Sequence, residues 1–270
     1  MNKKDSYQQD LTPLFDRFFA NGDDDHLKDY IAANSNLPGP RGNLELAAAF
    51  GEKIGEYAKD NPQKPWQLCA DMASIPASEA TVNNPRELIP FCGVIGIGTL
   101  GSVCPEFFGE ALAMLKNLAN DPRWRMREAV PMALQKLLAK RGQETLHELD
   151  NWTQGSWLEM RAAAAAVADP PLLKNRGIAW SALQLHHKIF ERVQLLTTGR
   201  KTEDFKALKK GLAYTLSVVV CAVPQEGFEL MAQLASSADG DIRWIVRENL
   251  KKNRLVKNFP TEIQAIQKLW

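Results

Sequence analysis

Apolar residues recur at intervals of three and four along much of the chain, the spacing that gathers them on one face of an α-helix. The clearest run lies in 121–141, where Met126, Val130, Ala133, Leu134, Leu137 and Leu138 share a face. Just upstream, Phe107, Phe108, Ala111, Leu112, Leu115 and Leu118 predict a helix over 106–120. Between the two, Asp121 suits an N-cap and Pro122 the first helical position, while Gly142 is placed to end the second helix. Elsewhere the pattern predicts amphipathic helices over 8–19 and 44–59, separated by the loop NSNLPGPRGN. The loop ASIPASEATVNNP precedes an apolar helix near 86–102. A long pair follows at 177–197 and 202–221, and a short closing helix at 260–269. No stretch alternates apolar and polar residues as a half-buried strand does. The pattern predicts an all-α chain.

The chain also repeats itself. DPRWRMRE at 121–128 returns as DIRWIVRE at 241–248, matching Asp121/Asp241, Arg123/Arg243, Trp124/Trp244, Arg127/Arg247 and Glu128/Glu248. The register extends upstream, with Glu106 and Phe108 falling on Glu226 and Phe228. A weaker copy, SWLEMRAAAAAVADPPLL from Ser156, aligns Met160-Arg161 with Met126-Arg127. The offset, 241 − 121 = 120 residues, is three units of about 40, the size of a two-helix solenoid repeat.

Asp121, then Met126-Arg127-Glu128-Ala129, resembles the second helix of HEAT repeats: an aspartate, then a hydrophobic–arginine pair, then a small residue. Asp241 and Val246-Arg247 resemble it too, except that Asn249 stands at the small position. The resemblance covers roughly 106–258. It implies a HEAT-like α-α superhelix, a curved solenoid of antiparallel helix pairs whose second helices line the concave face. It also implies that Asp121, Arg127, Asp241 and Arg247 tie neighbouring units together. On this reading residues 1–270 form one domain: atypical helices and loops over 1–85, HEAT-like pairs over 86–258, and a closing helix over 259–270.

Net charge is only +1, which disfavours a general polyanion binder, but the charge is unevenly placed. Residues 1–60 carry 7 positive and 11 negative side chains, whereas 121–141 and 241–258 each carry 6 and 2, and 174–210 carries 9 and 3. Arg243, Arg247, Lys251 and Arg254 fall at helical spacing and predict one basic stripe. With Arg123, Arg125 and Lys252, the candidate binding residues are Arg123, Arg125, Arg243, Lys251, Lys252 and Arg254. A stripe of this kind suits successive phosphates, or else forms the solvated flank of a terminal repeat.

Other motifs point less far. Gly96-Ile97-Gly98-Thr99-Leu100-Gly101 spells a dinucleotide fingerprint, but no strand pattern surrounds it, so glycines for close helix packing are the favoured reading. His186 and His187 are adjacent and point apart on a helix; no metal spacing is found, and no cofactor is expected. The four cysteines are widely spaced and read as reduced thiols. The uncharged stretches at 88–105 and 211–225 read as buried helices rather than membrane spans. Without an apolar leader at the start of the sequence, a cytoplasmic location is the expectation. Among the seven tryptophans, the recurrence of Trp124 and Trp244 suggests packing between repeats.

Two functions compete. The first is a non-catalytic module that holds a protein or peptide partner in a concave surface. The second is nucleic-acid binding through the basic second helices. In that second reading the layout resembles, more distantly, the HEAT-like bacterial DNA alkylation repair glycosylases, whose sites use tryptophans and an aspartate. The nearest catalytic candidates here are Asp150, Trp152 and Trp157, although the acid precedes the aromatic where that family places it after. No membrane partner is implied.

Overall fold

The computed structural model describes residues 3–270, and every regular element among them is helical. The backbone gathers into two compact units, Met1–Lys140 and Arg141–Trp270, where the patterning had drawn a single domain with boundaries after 85 and 258.

The first unit contains α1 (Lys3–Asn21), α2 (Asp25–Ala33), α3 (Leu44–Tyr57), α4 (Gln63–Ala73), α5 (Leu88–Val103), α6 (Phe108–Leu118) and α7 (Trp124–Lys140). Helices α3, α5 and α7 pack side by side, with α4 and α6 against α5 and α1 against α3. The short helices α2 and α4 fall where the pattern predicts none. In α4, Pro65 lies in the first turn, where a missing N–H costs nothing.

Helix α5 is the centre of this unit. With the preceding turn it is long and apolar enough to cross a membrane, yet 83% of that window is buried inside the protein. A helix apolar on every side is what a core position requires. Its glycines explain the fingerprint-like spacing. A Cβ on Gly98 would lie 2.5 Å from Ala133 Cα of α7, one on Gly96 would lie 2.3 Å from Cys69 Sγ of α4, and one on Gly101 would lie 2.6 Å from Ala111 Cβ of α6. Three neighbouring helices approach to within the space a methyl group would fill. The motif is a packing device.

The second unit contains α8 (Gly142–Trp152), α9 (Trp157–Val167), α10 (Arg176–Leu195), α11 (Glu203–Ala222), α12 (Pro224–Ala235), α13 (Gly240–Leu250), α14 (Asn253–Asn258) and α15 (Pro260–Gln267). Three helix pairs run in succession: α8–α9, α10–α11 and α12–α13. Second helices α9, α11 and α13 pack in one row, each backed by its own first helix. Gly142 starts α8 rather than ending α7, so the boundary was placed correctly but its role differs.

His186 of α10 is fully buried, with Nδ1 2.8 Å from the Ala182 carbonyl and Nε2 2.9 Å from Thr215 Oγ1 of α11. Nδ1 therefore carries the hydrogen, and Nε2 accepts from the threonine hydroxyl. Burial pushes its pKa down to about 4. As pH falls below 6.5 the unfolded chain takes up this proton first. The stability contribution is thus complete above 6.5 and lost progressively toward 4, by roughly 3 kcal/mol in total. Urea unfolding at pH 7.5 and pH 4.5 checks this: the pH dependence should shrink by about that amount in His186→Gln.

The two clearest repeat copies are not superimposable in detail. Helix α7 starts at Trp124, whereas α13 starts at Gly240, one turn earlier in the shared register. Asp121 is accordingly not the helix cap. It accepts from Arg123 N at 2.7 Å, ahead of a helix that starts three residues later. The cap of α13 is Asp239, which accepts from the backbone N–H groups of Asp241 and Ile242. The clamp on the preceding turn shifts by the same amount. Arg127, the fourth residue of α7, donates to the Asp121 carbonyl at 2.9 Å; Arg243, the fourth residue of α13, donates to the Ser237 carbonyl at 3.0 Å. Arg127 and Arg247 match in sequence, but Arg127 and Arg243 match in contact.

Candidate functional site

Of the six candidate binding residues, the two in the first unit are buried. Arg123 is 2% exposed and donates through Nε and Nη2 to the Asp121 carboxylate at 3.0 and 2.8 Å. Arg125 is 4% exposed; it donates to Glu87 Oε2 at 2.8 Å, to Asn83 Oδ1 and to the Gly39 carbonyl. Both guanidinium groups hold loops against α7 and cannot meet a ligand. Trp124 is 42% exposed with the Arg125 guanidinium 4.3 Å from its ring centroid, so it is a surface ring rather than a pillar between repeats. Trp244 is similarly covered, by Lys209 Nζ at 4.5 Å.

The expected stripe on the last second helix also breaks up. Helix α13 ends at Leu250 and the chain turns before α14, so Arg254 does not continue the line of Arg243 and Arg247. Arg243 is spent on the Ser237 carbonyl. Arg247 lies 4.9 Å from the Trp270 ring, and Lys251 pairs with Glu248 at 2.6 Å. Asp241 of α13 accepts from Lys209 Nζ of α11 at 2.6 Å, a contact between one helix pair and the next.

What remains is a convergence no stripe describes. Tyr214, on the open face of α11, is 50% exposed. The Arg254 guanidinium lies 4.5 Å from its ring centroid and Lys252 Nζ 5.9 Å. A cation over an aromatic face is worth about 0.5–1 kcal/mol at an exposed site, enough to orient two otherwise mobile side chains. The backbone beneath is pinned by Asn249. Its carboxamide is fully buried, accepts from Ser217 N at 2.8 Å and donates to the Leu212 carbonyl at 3.0 Å, so it bridges the turn of α11 that carries Tyr214. The Asn249 carbonyl then accepts from Lys252 N at 2.9 Å, fixing the turn that presents Lys252 and Arg254.

Beside Tyr214 opens a cavity of about 450 Å³. Pro170, Leu173, Val218 and Ala222 supply apolar wall; Lys174, Arg254 and Asn258 supply polar groups; none of its lining residues is acidic. Asp169, next to Pro170, accepts from Leu172 N–H, and burial holds its pKa above the usual carboxylate range. Cys221 also lines the cavity and is the least buried of the four thiols; its Sγ donates to the Arg254 carbonyl at 3.7 Å. Burial raises its pKa, partly opposed by Arg254.

The catalytic candidates do not assemble. Asp150 is half-exposed and paired with Lys188 at 2.6 Å. Trp152 is fully buried, with Nε1 3.3 Å from Glu148 Oε1, so no face is open to a base. Trp157 packs edge-on against Phe205 at 5.0 Å. Among the described residues no group of three or more His, Cys, Asp or Glu side chains is placed to hold a metal ion.

Pattern reading passed over Tyr214 because 211–225 carries no charge and reads as buried. The signal was present: Phe205, Leu208, Leu212, Leu216 and Val219 keep to one side of the helix, and Tyr214 is turned about 200° from Leu212.

Helix pairs repeating within an all-helical chain define a helical-repeat protein. No protein-family model matches the chain, and no curated protein matches it. Two solved structures, both crystal structures of engineered proteins, resemble it. One is 15% identical with a TM-score of 0.33, covering 98% of this chain and 98% of that one. The other is 14% identical with a TM-score of 0.27, covering 100% of this chain and 82% of that one.

Proposed function

We propose that this chain is a non-catalytic helical-repeat module that binds an anionic macromolecular partner on the Tyr214 face of its C-terminal unit. The HEAT likeness, in which second helices line the binding surface, agrees with that face belonging to the second-helix row. The observation that carries the reading is the convergence of Lys252 and Arg254 on an exposed tyrosine, while Arg123 and Arg125 are buried, Lys251 is paired with Glu248 and Arg243 is held on the Ser237 carbonyl. Base excision is not part of the proposal, because Asp150 and Trp152 face different surroundings and share no site.

A protein or peptide partner is the favoured class. Nucleic acid is the second reading, supported by Lys174 and Lys210, which add positive charge along the same unit. The test is fluorescence anisotropy with an acidic peptide, a single strand and a DNA duplex across a salt series. Binding should weaken at least about tenfold in the Lys252→Gln/Arg254→Gln double variant, since two charge contacts of about 1 kcal/mol each are lost. Phosphate contacts would add a steep salt dependence, which a largely apolar protein interface would lack. Failure of all three probes to bind at low salt overturns the reading.

A further inference from the structure

The cavity beside Tyr214 allows the partner to be narrowed, on the reading that this face binds an anion. We propose that it takes an apolar side chain of a peptide flanked by carboxylates: the apolar group enters the cavity and the acids meet Lys174 and Arg254.

The chemistry of the walls makes the choice. At about 450 Å³ the space lies within the range of ligand pockets and holds a leucine- or phenylalanine-sized group. Most of the wall is carbon, from Pro170, Leu173, Val218, Ala222 and the Tyr214 ring. A nucleobase placed there would leave most of its donors and acceptors facing hydrocarbon, at a cost that stacking on one tyrosine does not recover. A leucine or phenylalanine side chain leaves nothing unpaired. The two cations lie on different elements, Lys174 in the turn before α10 and Arg254 on α14, and both line the cavity. An apolar residue with acids on either side matches that arrangement; a lone carboxylate uses only one. Lys174 also lines a second, adjoining cavity with Arg176 and Trp180, which gives the chain of a longer peptide a continuation.

Cys221 provides the measurement. It lines the cavity, whereas the other three cysteines are buried, so alkylation by iodoacetamide followed by mass spectrometry reads occupancy through access to this thiol. The probes are acetyl-Glu-Leu-Asp-amide, its Gln-Leu-Asn isostere, acetyl-Glu-Gly-Asp-amide, polyglutamate and oligothymidylate. The expected result is that the Glu-Leu-Asp peptide slows Cys221 alkylation about fivefold at saturation. The neutral and glycine peptides should leave it unchanged, and Lys174→Gln/Arg254→Gln should remove the protection.

Three outcomes overturn the proposal. Equal protection by the glycine peptide or polyglutamate means the basic face binds anions without using the cavity, which leaves the broader function standing. Stronger protection by oligothymidylate transfers the site to nucleic acid. No protection by any probe, with binding still seen by anisotropy, places the partner elsewhere on the unit. Ala222→Leu, which fills the cavity without touching a charge, should abolish protection by the Glu-Leu-Asp peptide while polyglutamate binding persists.

Discussion

Replacing Arg125 with alanine should cost about 3–5 kcal/mol of stability, because it strands a buried carboxylate without its cation. Glu87 is fully buried, and Arg125 is the only cation paired with it among the described residues. The pair is already incompletely satisfied: Glu87 Oε1 and Arg125 Nε are both buried without a hydrogen-bond partner. Removing the guanidinium also frees the Gly39 carbonyl and takes one of two donors from Asn83 Oδ1, so two loops still joined by Gly39 N–H to Asn83 Oδ1 lose their tie to α7. Urea unfolding of Arg125→Ala checks this directly. The double variant Arg125→Met/Glu87→Leu should recover most of the loss, since replacing both partners of a buried pair with apolar groups is often neutral. The same experiment separates structure from binding. A ligand-contacting arginine would lose affinity and keep stability, so an Arg125→Ala protein as stable as wild type would return this residue to the list of binding candidates.

The helix pairs around 106–140 and 226–250 were legible because their apolar residues keep strict helical spacing and their turns carry Asp, Pro and Gly. The repeat was legible too, but it misled about contacts. Identical residues at 121–128 and 241–248 sit in helices that start one turn apart, so Arg127 and Arg247 do different things. The residues that make each copy work are the ones that differ. Arg125 reaches Glu87 where the later copy has Ile245, and Asn249 reaches α11 where the earlier copy has Ala129. Self-comparison highlights what is shared, and these buried polar contacts are not. The candidate site was half legible. Lys252 and Arg254 were singled out by charge, but their direction depends on the chain turning after Leu250, and Tyr214 lies on another helix some 40 residues away in sequence. Charge counting finds cations; it does not find which of them already have partners.

Asn249→Leu should lower the unfolding free energy by about 2–5 kcal/mol, because two buried backbone groups, Ser217 N–H and the Leu212 carbonyl, lose the partner that joins them. Leucine fills nearly the same volume and keeps water out, so neither group finds a substitute. The exchange rate of the Ser217 amide should rise in parallel, a local readout that general destabilisation of α13 would not single out. The substitution bears on binding as well, although Asn249 touches no ligand. Its side chain lies beneath the Tyr214 half of the site, bridging the turn of α11 that carries the ring, while its backbone carbonyl, which leucine retains, accepts from Lys252 N. Cations held over a ring are pre-organised, and loosening the turn that carries the ring returns their side-chain entropy to the cost of association. Affinity for an anionic probe should therefore fall in Asn249→Leu even under conditions where the variant remains folded. Unchanged affinity in a folded variant would mean that Lys252 and Arg254 find Tyr214 without help from the backbone beneath them. Asn249, which stands where the earlier copy has Ala129, would then serve stability alone.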